Sequence, residues 1–99
     1  MTTDDTITIT GDHIPSVTPG YRLQFEQAQD TWVLLYPEGM VKLNQSASEI
    51  LQRCDGKRTV AEVVTQLEKD FEQSGLENDV LGFLAVASEQ KWITIKNAG

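Results

Sequence analysis

At Asn44 the hydrophobic pattern of this chain changes period, and that change decides the class of fold. Before Asn44 apolar residues alternate, the signature of strands; after it they recur at intervals of three and four, the signature of helices. "YRLQFE" places Tyr21, Leu23 and Phe25 on one face and Arg22, Gln24 and Glu26 on the other, a half-buried strand. "TWVLLY" is apolar on both faces, as befits a central strand covered on both sides. Pro37-Glu38-Gly39 then reads as a three-residue loop, with proline fixing φ and glycine accepting the left-handed conformation. With that loop Tyr36 faces Met40. Val33, Leu35, Val41 and Leu43 then share a core face, while Trp32, Leu34, Tyr36, Met40 and Lys42 share an outer one.

Beyond the strands, Asn44 or Ser46 can cap a short helix over "ASEILQRC", with Ser46 and Glu49 fitting a capping box, and Asp55-Gly56 stops it. Thr59 and Glu62 repeat the box. Val60, Val63, Val64, Leu67 and Phe71 follow at helical spacing, so the second helix buries one stripe and ends near Gly75. A third helix starting near Asn78-Asp79 carries Val80, Leu81, Phe83, Leu84, Val86 and Ala87, an apolar surface wider than one core-facing stripe needs. "WITIK" either adds a strand or packs Trp92 beneath the helices. The expected fold class is α+β: a three-stranded antiparallel sheet followed by three helices, winged helix-turn-helix-like in outline.

Residues 1–19 are expected to form a flexible N-terminal arm, because Pro15, Pro19 and Gly20 punctuate any regular element there. The alternating "TITIT" is the exception that could dock on an open sheet edge. Residues 20–95 are the folded domain and 96–99 a tail.

Charge and chemistry narrow the function. Eight basic residues against fifteen acidic give a net charge of −7, which repels nucleic acid and anionic membranes and favours basic or amphipathic partners. Acidic residues stand at the N-terminus where a signal peptide carries basic ones, and no run approaches a membrane span, so the expected location is the cytoplasm. Cys54 and His13 are the only cysteine and histidine and lie far apart in sequence, so no metal set is expected, and Cys54 reads as a buried structural thiol. Glu26, Asp30 and Glu38 fall in turns as solvated charge rather than as a paired acid and base. Arg53, Lys57 and Arg58 read first as cations complementing a helix C-terminus. No catalytic residue, cofactor or glycine-rich phosphate loop is expected.

"LLYPEGMVKLN" followed by "SASEILQRCDGKRTVAEVV" resembles the PqqD family, protein D of pyrroloquinoline quinone (PQQ) biosynthesis, and the resemblance runs from Tyr21 to Trp92. It implies a peptide chaperone, a recognition element that is not an enzyme. In such domains the leader of a ribosomal precursor peptide (PqqA-like) adds as a strand beside the third strand, in a groove toward the third helix. The loaded domain presents it to a radical S-adenosylmethionine (radical SAM) enzyme, PqqE-like. On this chain the implied peptide site is Met40, Val41, Lys42 and Leu43 with Val80, Phe83, Leu84 and Ala87.

The strand pattern independently supports an open template. The third strand of a meander has one unpaired edge, and Met40–Leu43 carries no proline, no glycine and a single charge to blunt it. Trp32, Leu34 and Tyr36, too apolar for a bare outer face, are the expected enzyme-docking residues. The alternative is an acidic, winged-helix-type regulatory module that binds folded proteins. DNA binding ranks behind it, because Glu77, Asp79 and Glu89 make the third helix acidic.

Overall fold

The computed structural model of the chain describes residues 9–97. Five strands and three helices follow in the order β1 (His13–Val17), β2 (Arg22–Glu26), β3 (Thr31–Tyr36), β4 (Gly39–Lys42), α1 (Gln45–Gln52), α2 (Val60–Asp70), α3 (Glu77–Glu89) and β5 (Ile93–Asn97). β2, β3 and β4 form the antiparallel meander, and β1 pairs with β5 in a separate two-stranded sheet. The class is α+β, winged helix-turn-helix-like, as the change of period at Asn44 requires.

The hairpin departs from expectation by one residue. Tyr36 pairs with Gly39, so Pro37 and Glu38 alone make the turn and Gly39 belongs to β4. Proline at the second position of a four-residue turn and glycine at the fourth is a type I sequence signature, and it closes the hairpin one residue earlier. Because side chains alternate with period two, this slip exchanges the faces of β4 relative to β3. Leu34 pairs with Val41, Leu35 with Met40 and Val33 with Lys42. Leu34 is therefore 0% exposed and lies in the main core with Leu43, while half-buried Trp32 and Val41 pack against that core. Tyr36, expected on an open face, is half-buried and stacks on Tyr21 at 5.3 Å. The outer face is instead Val33, Leu35, Met40 and Lys42. Val33 is fully buried there, flanked by its cross-strand partners Gln24 and Lys42.

The expected arm also needs correction, because residues 13–17 form β1. Val17 donates its N–H to the Cys54 carbonyl and the Pro15 carbonyl accepts from Gly56 N–H, so these two residues direct their backbone toward the α1–α2 connection. Ile14 and Ser16 direct theirs toward Lys96 and Thr94 of β5. The N–H that Pro15 lacks therefore falls on the connection side and leaves the β1–β5 ladder intact. Gly56 makes the close approach possible: its φ is +79° and a Cβ there would stand 3.3 Å from Ser16 Cβ. The folded unit thus begins before residue 20, and β5 takes Lys96 and Asn97 from the expected tail. Most of "TITIT", and Ala98-Gly99, lie outside the described residues.

The helices start largely where their caps place them. Asn44, rather than Ser46, caps α1, accepting from Ala47 N–H at 2.7 Å. Thr59 and Glu62 form the reciprocal box at α2. α3 starts at Glu77 with no side-chain cap. Ile50, Leu51, Val60, Val63, Leu67, Val80 and Leu84 meet Leu34 and Leu43 in one core. Phe71, expected in the stripe, is 40% exposed at the C-cap of α2.

Candidate peptide-binding site

Backbone direction along β4 follows from one hydrogen bond beyond its end. Leu43 donates its N–H to the Trp32 carbonyl at 3.0 Å, which makes Trp32–Leu43 a hydrogen-bonded pair. Such pairs alternate in an antiparallel ladder, so Leu34–Val41 and Tyr36–Gly39 are the next two. Met40 and Lys42 consequently point their N–H and C=O groups away from β3. Among the described residues nothing pairs with them, since β4 ends the sheet. The four residues expected on this edge thus divide: Met40 and Lys42 offer the backbone template and exposed side chains, while Val41 and Leu43 turn inward.

The expected α3 contacts are corrected more heavily. Val80, Leu84 and Ala87 are 2%, 0% and 0% exposed and belong to the core. Phe83 is half-buried, with its ring 6.4 Å from that of Trp92. The extra apolar width of α3 flanks the core through half-buried Leu81 and Phe83, which pack against it, and leaves only Val86 as a large exposed hydrophobic residue of the helix.

A concavity that the sequence did not announce takes in one of these residues, Val80. A cavity of about 290 Å³ opens between the start of α1, the end of α2 and the start of α3. Ile50, Leu67, Phe71, Leu76 and Val80 make its apolar floor, and Gln45, Ser46, Glu49 and Asp79 stand at its polar rim. Gln45 lies three residues beyond Lys42, a reach of about 10 Å at most. The end of the strand edge therefore lies within that distance of the cavity's rim. Such a site can hold an extended chain by its main-chain groups and one of its apolar side chains in the pocket.

Arg53 holds one wall of that cavity in place. Its Nη1 donates to the Glu49 carbonyl and carboxylate at 2.8 and 2.9 Å, its Nη2 donates to Asp70 Oδ2 at 2.7 Å, and its guanidinium lies 6.0 Å from the Phe71 ring centroid. Burial pulls the guanidinium's pKa down, but the hydrogen bonds to Asp70 and Glu49 outweigh it and leave the pKa raised. Hydrogen bonding from Arg53 and then Gln66 holds the Asp70 carboxyl below its ordinary value. A carboxylate depressed in this way stabilises the fold above its unfolded pKa, about 3.9, and loses that contribution as pH falls through the lower folded value. Urea midpoints measured on the acid side should therefore fall less steeply with decreasing pH in Asp70→Asn than in the parent. The basic cluster read from sequence thus divides, with Arg53 an interhelical clamp and Arg58 3.8 Å from Asp55. The partner that makes Arg53 a clamp lies 17 residues away, beyond any local pattern.

Cys54 is 4% exposed, and burial followed by the nearby Asp55 charge pushes its thiol up to about 12. Its Sγ donates to the Ile50 carbonyl. Thiol reagents at neutral pH should label it only as fast as the protein opens, so the native rate should lie orders of magnitude below that in urea. Among the described residues no group of three His, Cys, Asp or Glu side chains is placed to hold a metal, and no helix is long and apolar enough to cross a membrane.

Known proteins are similar to this chain in sequence and in fold. The family model of coenzyme PQQ synthesis protein D (PqqD) matches residues 31–93. A PqqA binding protein of Rahnella aquatilis is 52% identical over 91 residues, which span 91% of this chain and 96% of that one. The PqqA binding protein of Pseudomonas aeruginosa strain UCBPP-PA14 is 54% identical over 86 residues, 86% of this chain and 94% of its own. The solution structure of the PqqD part of Methylobacterium extorquens PqqCD, described as a functional, stand-alone recognition element for ribosomally synthesized and post-translationally modified peptides, superposes with a TM-score of 0.74. It is 27% identical, with 87% of this chain and 94% of that chain covered.

Proposed function

This chain belongs to the PqqD family, and from that premise we propose that it binds a PqqA-like precursor peptide as a fourth strand on β4 and presents it to a PqqE-like radical SAM enzyme. The observation that carries this reading is the β4 edge itself, where Met40 and Lys42 turn their backbone outward and Gln45, three residues on, stands at the rim of an apolar cavity. Strand addition supplies main-chain hydrogen bonds, and the cavity selects for an apolar side chain in register with it. The net charge of −7 favours a peptide with basic residues and accelerates its encounter.

The protein's part is to bind and present. The chemistry belongs to the enzyme, and no side chain of this chain is assigned a reacting atom. We place both partners in the cytoplasm, where an unpaired Cys54 stays reduced. For enzyme docking, Leu34 drops out as core and Trp32 and Tyr36 are half-buried within the monomer; the outer sheet face around Leu35 and exposed Met40 takes their place.

A backbone NMR titration with the precursor peptide tests the site. Shifts should concentrate at the amides of Met40 and Lys42 and at Ile50, Leu76 and Val80 around the cavity. Shifts confined to the β1–β5 sheet would refute it.

A further inference from the structure

The meander has a second open edge. Trp32, Leu34 and Tyr36 direct their backbone to β4, so Thr31, Val33 and Leu35 direct theirs to β2, where they meet Glu26, Gln24 and Arg22. Leu23 and Phe25 therefore point N–H and C=O groups outward. β2 ends the sheet, and among the described residues neither group has a backbone partner. The strand carries no proline, glycine or bulge to blunt this edge. Its one large exposed hydrophobic residue is Phe25, 41% exposed and packed edge-on against Trp32 at 5.6 Å.

The charge pattern of β2 selects what can lie on that edge. Arg22 and Glu26 stand on the outer face, two residues either side of Gln24. In an antiparallel pairing of two β2 strands about a two-fold axis at Gln24, Arg22 of each copy faces Glu26 of the other. Leu23 then faces Phe25 of the second copy on the opposite face. The same axis makes Leu23 and Phe25 the hydrogen-bonded pairs, using the four outward groups on each strand, and leaves Gln24 facing Gln24 as the pair that needs no ladder bond. Gln24 Nε2 already donates to Glu26 Oε2 at 2.9 Å, leaving the other carboxylate oxygen for the arginine. Parallel pairing in register would instead set Arg22 against Arg22.

We propose that β2 is a self-association edge, on which a second copy of this chain pairs β2 to β2 about Gln24. The product is one six-stranded sheet with a β4 edge at each end, so each copy keeps its peptide site. The contact is small, and association belongs in the weak, reversible class.

Sedimentation equilibrium from micromolar to millimolar protein, at low salt, tests the proposal with charge reversals. The wild-type mass should rise toward that of a dimer with concentration. Arg22→Glu and Glu26→Arg should each weaken association about tenfold, because two like-charged pairs replace two opposite-charged ones. An equimolar mixture of the two variants should associate as wild type does, since the two carboxylates of the first variant's strand then face the two guanidinium groups of the second's. Precursor-peptide affinity should stay unchanged in both single variants. A wild-type mass that stays monomeric to millimolar concentration overturns the proposal, as does association indifferent to the reversals. Loss of peptide binding in Arg22→Glu would also overturn it, by giving the β2 edge to the peptide.

Discussion

Lys42→Pro is expected to fold and to lose the precursor peptide, whereas Val41→Pro is expected not to fold stably. The two residues are neighbours, yet their N–H groups serve opposite edges of β4. The N–H of Val41 is directed to the Leu34 carbonyl within the hairpin, and replacing it with a proline ring in a paired strand costs roughly 3 kcal/mol or more. That is a large share of the roughly 5–15 kcal/mol that stabilises a domain of this kind. The N–H of Lys42 meets no described partner, so proline there is tolerated as on other edge strands. Its ring then stands where an added strand must approach. Losing one ladder bond and displacing its neighbours should weaken peptide binding by about 2 kcal/mol, a factor of roughly 30. Circular dichroism melts and calorimetric titration with the peptide give both readouts, and Lys42→Ala separates the lost charge from the lost N–H. If both prolines fold and both bind at parental affinity, the peptide is not a strand on β4.

The difference between these neighbours was not available from the sequence, for a specific reason. Both possible hairpin loops satisfy the local preferences of Pro37 and Gly39, and they differ by one residue. A β-register converts that one residue into an exchange of faces. The elements themselves were legible because each is over-determined: alternation in β2, capping side chains at α1 and α2, and a buried stripe in α2. β1 was obscured by Pro15, whose cost depends on which edge its nitrogen faces, a property of tertiary pairing rather than of composition. The site divided in the same way. The β4 edge follows from strand order, which the period change reveals. The cavity needs the ends of three helices to converge, and Arg53 needs Asp70; neither arrangement leaves a periodic trace. Of the implied α3 residues only Val80 lines the cavity, because a helix's apolar width shows how much surface it covers, without showing which part packs into the core.

Leu34→Ala and Leu35→Ala measure the register directly, since adjacent leucines on one strand report opposite faces. Leu34 is fully buried among Leu43, Ile50 and Leu84, where both sheet and helices close around it. Truncating it should cost about 3 kcal/mol, lost transfer energy plus an unfilled cavity. For a domain of this size that lowers Tm by on the order of 10–25 °C. Leu35 is half-buried on the outer face across from Met40, outside the core cluster, and its truncation should cost about 1 kcal/mol or less. A three-residue loop would leave Leu34 on the outer face and put Leu35 in the core with Val41 and Leu43, and it predicts the reverse order of stabilities. The same pair bears on partners: with the enzyme docked against the outer face, Leu35→Ala should weaken docking while the fold holds. Leu34→Ala, read on its folded fraction at low temperature, should dock and bind peptide as the parent does. A Leu35→Ala protein that melts far below Leu34→Ala would return the hairpin to the longer loop and reverse the assignment of Met40 and Lys42 to the open edge.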